Sequence, residues 1–122
     1  MGYDLHICAT RDWLDAETHP ISREQWDAVV STDPELHVAT DNYLEFRAPD
    51  GTTVRERAVV WHRHLNTPFW FERGQITIKN PDDVTIVKAL ELAGRLKGFV
   101  VGDDHEQYSL QQQAPGWVAT YT

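Results

Sequence analysis

Apolar and polar residues alternate at the start of the chain. Over residues 3–9, Leu5 and Ile7 fall on one side and Asp4, His6 and Cys8 on the other, which is the period of a half-buried strand. The next stretch, 10–20, is polar. Trp13 and Leu14 are its only large apolar residues, and it reads as a loop pinned by that pair. Helical spacing follows. Ser22 with Gln25 three residues on makes a capping box, and Ile21 with Trp26 a hydrophobic staple. Trp26, Val29 and Val30 form one apolar stripe. Asp33-Pro34 ends this short helix, because the residue before a proline disfavours helical geometry.

The middle of the chain returns to alternation. A short strand over 35–40 precedes one over 43–48, with Leu44, Phe46 and Ala48 on one face. Pro49-Asp50-Gly51 is a turn signal, and the β-branched run 52–62 reads as one returning strand. Phe69-Trp70-Phe71 and 75–79 flank Glu72-Arg73-Gly74 as a second hairpin, with Ile76 and Ile78 on a common face. A second helix is expected from Asn80 as cap, Pro81 at the first helical position, and Asp82 and Asp83 at the positive end of the helix dipole. Its stripe is Ile86, Ala89, Leu90, Ala93 and Leu96, and Gly98 is the expected C-terminal cap. Phe99-Val100-Val101 reads as a strand and Gly102-Asp103-Asp104 as a turn. Residues 105–110 read as a short strand, and 111–122 as a C-terminal tail or an added edge strand. This order predicts an α+β fold: an antiparallel β-sheet of about five to seven strands with two α-helices packed on one face. With neither repeat nor linker, 1–110 reads as a single domain.

Composition narrows the function classes. Of 122 residues, 41% are hydrophobic and 25% charged, the balance of a folded chain rather than a disordered one. No apolar run nears the roughly 20 residues of a membrane span, and the first residues lack the basic start of a signal peptide. Cys8 is the single cysteine, so no internal disulfide forms and a reducing, cytoplasmic compartment is expected. The net charge is -8, distributed as -8 over 1–50, +3 over 51–100 and -3 over 101–122. That excess disfavours nucleic acid and anionic membranes and favours a basic protein partner.

Candidate chemistry is sparse. His62 and His64, two apart on an expected strand, point to one side and could give a transition metal two ligands, with a third from His6, His105, Asp103 or Asp104. No HExxH or CxxC supports this, and a strand end meeting solvent is the plainer reading. Asp103, Asp104, His105 and Glu106 lack EF-hand spacing, but as a charged partner contact they need no special geometry. Asp12, Asp15, Glu17 and His19 could do acid–base work only if burial separated their pKa values, and the polar loop around them argues for solvation. Cys8 reads as a small buried hydrophobe. There is no nucleophile elbow and no phosphate-binding glycine loop, so neither a catalytic set nor a cofactor is expected. Five tryptophans are many for this length. Trp26 reads as core, and Trp61 and Trp70 as residues that close it. An exposed Trp13 or Trp117 amid acidic groups would mark a protein-binding face.

Several of these segments recur together in one family. Tyr-Asp-Leu-His-Ile (3–7), Trp13, Pro-Ile-Ser before a helix bearing Trp26, Asp-Pro-Glu-Leu (33–36), Ile-Thr-Ile-Lys-Asn-Pro-Asp (76–82) and Gly-Asp-Asp (102–104) resemble a family of small bacterial proteins associated with polymorphic and secreted toxins. The likeness spans about residues 3–106. It implies a non-enzymatic cytoplasmic immunity protein that binds and occludes a secreted toxin domain, often a basic nuclease. No site residue carries over from the family; the acidic and aromatic residues of this chain make Asp12, Trp13, Asp15, Asp103, Asp104, Glu106 and Trp117 the expected partner-binding set. Two other readings stay open: a metal- or small-ligand-binding protein or enzyme using His62 and His64, and a homo-oligomeric subunit, such as a homodimer meeting through exposed tryptophans.

Overall fold

A computed structural model describes residues 2–38, 44–56, 59–62, 65, 67–113 and 116–121. In chain order the elements are β1 (Asp4–Cys8), a 3₁₀ turn (Trp13–Asp15), α1 (Arg23–Thr32), β2 (Leu36–Val38), β3 (Leu44–Arg47), β4 (Thr53–Glu56), β5 (Val59–His62), β6 (Pro68–Glu72), β7 (Gln75–Lys79), α2 (Asp83–Leu96), β8 (Phe99–Gly102), β9 (Tyr108–Gln113) and β10 (Gly116–Tyr121). Six strands form one antiparallel sheet in the order β2-β5-β6-β7-β1-β8, while β3-β4 and β9-β10 are two-stranded hairpins.

Register decides which side of the sheet is core. Leu5 pairs with Ile78, and Ile7 pairs with both Ile76 and Val100, so these side chains share one face. All five are buried, with Phe69 and Val60, against Trp26, Val29 and Val30 of α1 and Ile86, Ala89, Leu92, Ala93 and Leu96 of α2. The α+β architecture with both helices on one sheet face is therefore the observed one. Each fully buried large aliphatic side chain contributes about 1.5–3 kcal/mol, so this layer dominates stability. The register puts His6 beside Thr77 and Val101 on the opposite face.

Several boundaries differ from expectation, each for a local reason. The run 52–62 is two strands: β4 pairs back on β3 across the Pro49-Asp50-Gly51 turn, whereas β5 joins the main sheet between β2 and β6. Asp82, not Asn80, caps α2; its carboxylate accepts the Thr85 N–H at 2.8 Å. Asn80 instead has φ 48°, and its Oδ1 accepts the Tyr3 N–H at 2.8 Å, so Pro81 lies outside the helix. Lys97, with φ 56°, is the C-terminal cap, and the Gly98 N–H closes the turn on the Ala93 carbonyl. Residues 10–20 contain the 3₁₀ turn, and most of 111–122 belongs to the β9-β10 hairpin. Trp61 and Trp70 do not close the helix-covered core: Trp70 pairs with Thr77 on the other face, and both are half-buried.

Candidate functional site

A polar cluster sits on the sheet face opposite the helices, at the β1-β8 edge, and it begins with strand alternation. Because Leu5 and Ile7 point into the core, His6 points to the other face, where it is 4% exposed. Its Nε2 lies 2.9 Å from Asp103 Oδ1 and its Nδ1 lies 2.7 Å from Gln75 Oε1. Gln75 Nε2 donates to the Trp13 carbonyl at 3.4 Å, which turns the amide oxygen toward His6. His6 therefore faces a side-chain oxygen at each ring nitrogen. The other Asp103 oxygen accepts the Asp4 N–H at 2.9 Å.

Trp13 covers this pair. Its ring stacks on His6 at 4.5 Å and 4°, and on His105 at 6.0 Å and 25°. Its indole N–H donates to the Asp103 carbonyl at 3.3 Å. Asp12 caps the 3₁₀ turn through the Leu14 N–H and holds His105 Nε2 at 2.9 Å. In this clasp one indole stacks on two imidazoles, each held by a carboxylate. The clasp joins the 10–17 loop to the 103–106 loop.

The second loop is shaped from below. Gly102 N–H donates to the Glu106 carbonyl at 2.9 Å and the His105 N–H to the Gly102 carbonyl at 3.1 Å, a tight turn with His105 at φ 67°. The Tyr3 hydroxyl donates to the Glu106 carboxylate and lies 2.8 Å from the Tyr108 hydroxyl. A Cβ at Gly102 would overlap both the Glu106 carboxylate and the Tyr3 hydroxyl, so any larger residue there would displace these side chains.

Electrostatics follow the contacts. Burial raises the Asp103 pKa, but the Asp4 N–H and His6 outweigh it and hold the carboxyl below its ordinary range. The Leu14 N–H, then His105, lower Asp12. Burial, then the hydrogen bonds to Glu106 and Tyr108, keep the Tyr3 hydroxyl far above the usual phenol range. Burial, then nearby Asp12, push the Cys8 thiol up to about 12. A thiol at that value is a poor nucleophile at neutral pH, and His6, with both nitrogens engaged, has none left to take a substrate proton.

The sequence-derived candidates divide accordingly. Asp12, Trp13, Asp103 and Glu106 come together, but as parts of the clasp; Trp13 is half-buried rather than an exposed anchor. Leu14, beside it, is 66% exposed. Asp15 is partly exposed and lies 3.4 Å from His19; Glu17 and Asp104 are exposed. Trp117 stands on β10 opposite Gln112. His62 is on β5, where Nδ1 accepts the Leu65 N–H at 3.2 Å and Nε2 lies 3.4 Å from Glu35. His64 lies outside the described residues. Among the described residues no three His, Cys, Asp or Glu side chains are grouped to hold a metal ion, and no helix is long and apolar enough to cross a membrane. The expectation that Leu14 pins the loop with Trp13 fails, since Leu14 is exposed while Trp13 alone packs down; Gln75 escapes sequence reading because glutamine in a strand carries no periodic signal.

No family model, curated protein or solved structure matches the chain.

Proposed function

We propose that the protein is a non-enzymatic cytoplasmic binding protein, an immunity protein whose clasped corner occludes a basic domain of a secreted toxin. The observation that carries this reading is the join between two acidic loops by Trp13 and Asp103, 90 positions apart in sequence. The two loops carry Asp15, Glu17 and Asp104, partly or fully exposed, and Leu14, a leucine that is 66% exposed. Exposed carboxylates steer a basic partner in and suppress acidic ones, while Leu14 supplies apolar area that a partner would cover. Stacking and hydrogen bonds hold both loops before binding, which lowers the ordering cost of association.

The test uses the tagged protein as bait in its native host, with mass spectrometry as readout. One partner bearing a basic domain, bound near one to one, is expected. Leu14→Asp, a surface change that spares the clasp, should weaken its capture by about tenfold or more, the loss expected for removing one apolar anchor. Recovery of the protein alone or only with copies of itself, or undiminished capture by Leu14→Asp, would overturn the reading.

A further inference from the structure

A second polar network lies at the other edge of the sheet, on the helix side. Lys88 of α2 is 5% exposed, and its ammonium reaches Asp33 at 2.7 Å, Glu35 at 2.8 Å and Glu91 at 3.5 Å. Above it opens a pocket of about 280 Å³, walled by Leu65, Val84 and Val87, with Glu35 and Glu91 beside the ammonium. Val84 is 63% exposed, a large apolar side chain at the pocket mouth.

Donor and acceptor accounting selects what fits. An ammonium has three N–H groups, and three carboxylates surround this one. His62 Nδ1 accepts the Leu65 N–H, so its proton is on Nε2, 3.4 Å from Glu35. Both donor groups of the lining thus already face carboxylates. What stays open to solvent is acceptor capacity: the Glu35 side chain is 44% exposed and that of Glu91 55%. Three carboxylates outnumber Lys88 even with Arg95, 3.3 Å from Asp33, added to the network. Among the described residues an anion would meet no available donor, and a wholly apolar group would strip water from two carboxylates without replacing it. The volume falls just under the range of drug-sized ligand sites, so the occupant is side-chain sized.

We propose that this pocket receives a positively charged group on a short alkyl stem, an alkylguanidinium or alkylammonium, of the kind that ends an arginine or lysine side chain or a free polyamine. The head lies between Glu35 and Glu91, and the stem lies along Val84, Val87 and Leu65. This site is separate from the clasped corner and does not depend on the function proposed for it.

The test is an amide-shift NMR titration of the full chain with n-butylguanidinium, with an acetylated arginine amide and with spermidine. Saturable shifts at Leu65, Val84, Val87 and Glu91, with Kd of about 1 mM, are expected for a small ligand of few heavy atoms. Stronger binding of the arginine amide points to a polypeptide source, and stronger binding of spermidine to a free polyamine; either supports the site. Glu91→Gln removes an exposed carboxylate, and Val87→Trp fills the cavity without changing charge. Each should weaken binding about tenfold, the scale of one charge-assisted contact. No saturation up to about 50 mM, equal shifts from 1-pentanol or pentanoate, or unchanged binding by both variants would overturn the proposal.

Discussion

Asp103 concentrates the logic of the clasp in one side chain. One oxygen holds His6 and the other the Asp4 N–H, while its backbone carbonyl takes the Trp13 indole. Asp103→Asn keeps the shape but removes the charge, so a loss of about 1.5–3 kcal/mol is expected, the scale of hydrogen bonds to a charged group. The pH dependence has a definite sign. The folded carboxyl lies below its ordinary value, so its contribution is present above about pH 4, the unfolded value, and is lost as pH falls through the folded one. Urea unfolding at pH 5 should therefore separate wild type from Asp103→Asn, and the gap should close below about pH 4; a gap unchanged at pH 3 would refute the assignment. Gly102→Ala offers a second residue-scale check. The methyl group has no room between Glu106 and Tyr3, so a loss of about 1–3 kcal/mol is expected from calorimetry or denaturation, as for overpacked sites. The sequence shows part of this directly. Alternation places His6 off the core face, and Gly-Asp-Asp marks a turn. The meeting of residues 13 and 103 depends on β1 pairing with β8, a long-range choice that local periodicity does not encode.

Element by element, legibility tracks how local the governing interaction is. The α1 start is read correctly because the capping box is contained within four residues: Ser22 accepts the Gln25 N–H at 3.1 Å and Gln25 returns the bond at 2.9 Å. Ser22→Ala should cost about 1 kcal/mol, measurable by denaturation. The α2 start is misread by two residues because Asn80 is claimed by Tyr3, 77 positions away. Likewise 52–62 divides because its two halves have different strand partners, and a β-branched run fits either. Lys88 is the largest departure from pattern: it lies on the buried side of α2, tying α2 to the end of α1 and the start of β2 through Asp33 and Glu35. Burial opposes its charge, but the hydrogen bonds it donates to Asp33 and Glu35 prevail and raise its pKa. Its contribution to stability is thus fully present below the ordinary lysine value and is lost as pH rises through the folded one. Lys88→Met fills the same space but takes the ammonium from the Asp33 carboxylate, whose side chain is 4% exposed, and leaves it Arg95 at 3.3 Å. A loss of about 1.5–3 kcal/mol is expected at neutral pH, the scale of a hydrogen bond to a charged group.

At the scale of the whole molecule, charge and fold act on different steps of binding. On the proposed function, the net charge of -8 would attract a basic partner over about a Debye length, whereas the clasp would set the shape that it meets. The sequence shows the charge in full but not which carboxylates are free to use it. Asp12, Asp103 and Glu106 hold the two loops through His105, His6 and Tyr3, so changing them alters shape and field together. Asp15, Glu17 and Asp104 lie outward, away from the hydrogen bonds of the clasp, and changing them alters mainly the field. The variant Asp15→Asn, Glu17→Gln, Asp104→Asn should fold with stability within about 0.5 kcal/mol of wild type per site, as surface changes usually do. Its association with the captured partner should be several-fold slower at low ionic strength, and the difference should vanish near 0.5 M salt as screening shortens to about 4–5 Å. Dissociation should change little, because exposed rim charges act chiefly on encounter. Stopped-flow or surface-based kinetics across a salt series reads both rates. A salt-independent deficit, or a deficit confined to dissociation, would mean that these carboxylates make direct contacts rather than steer. Equal association rates at low salt would place the partner's face elsewhere on the molecule.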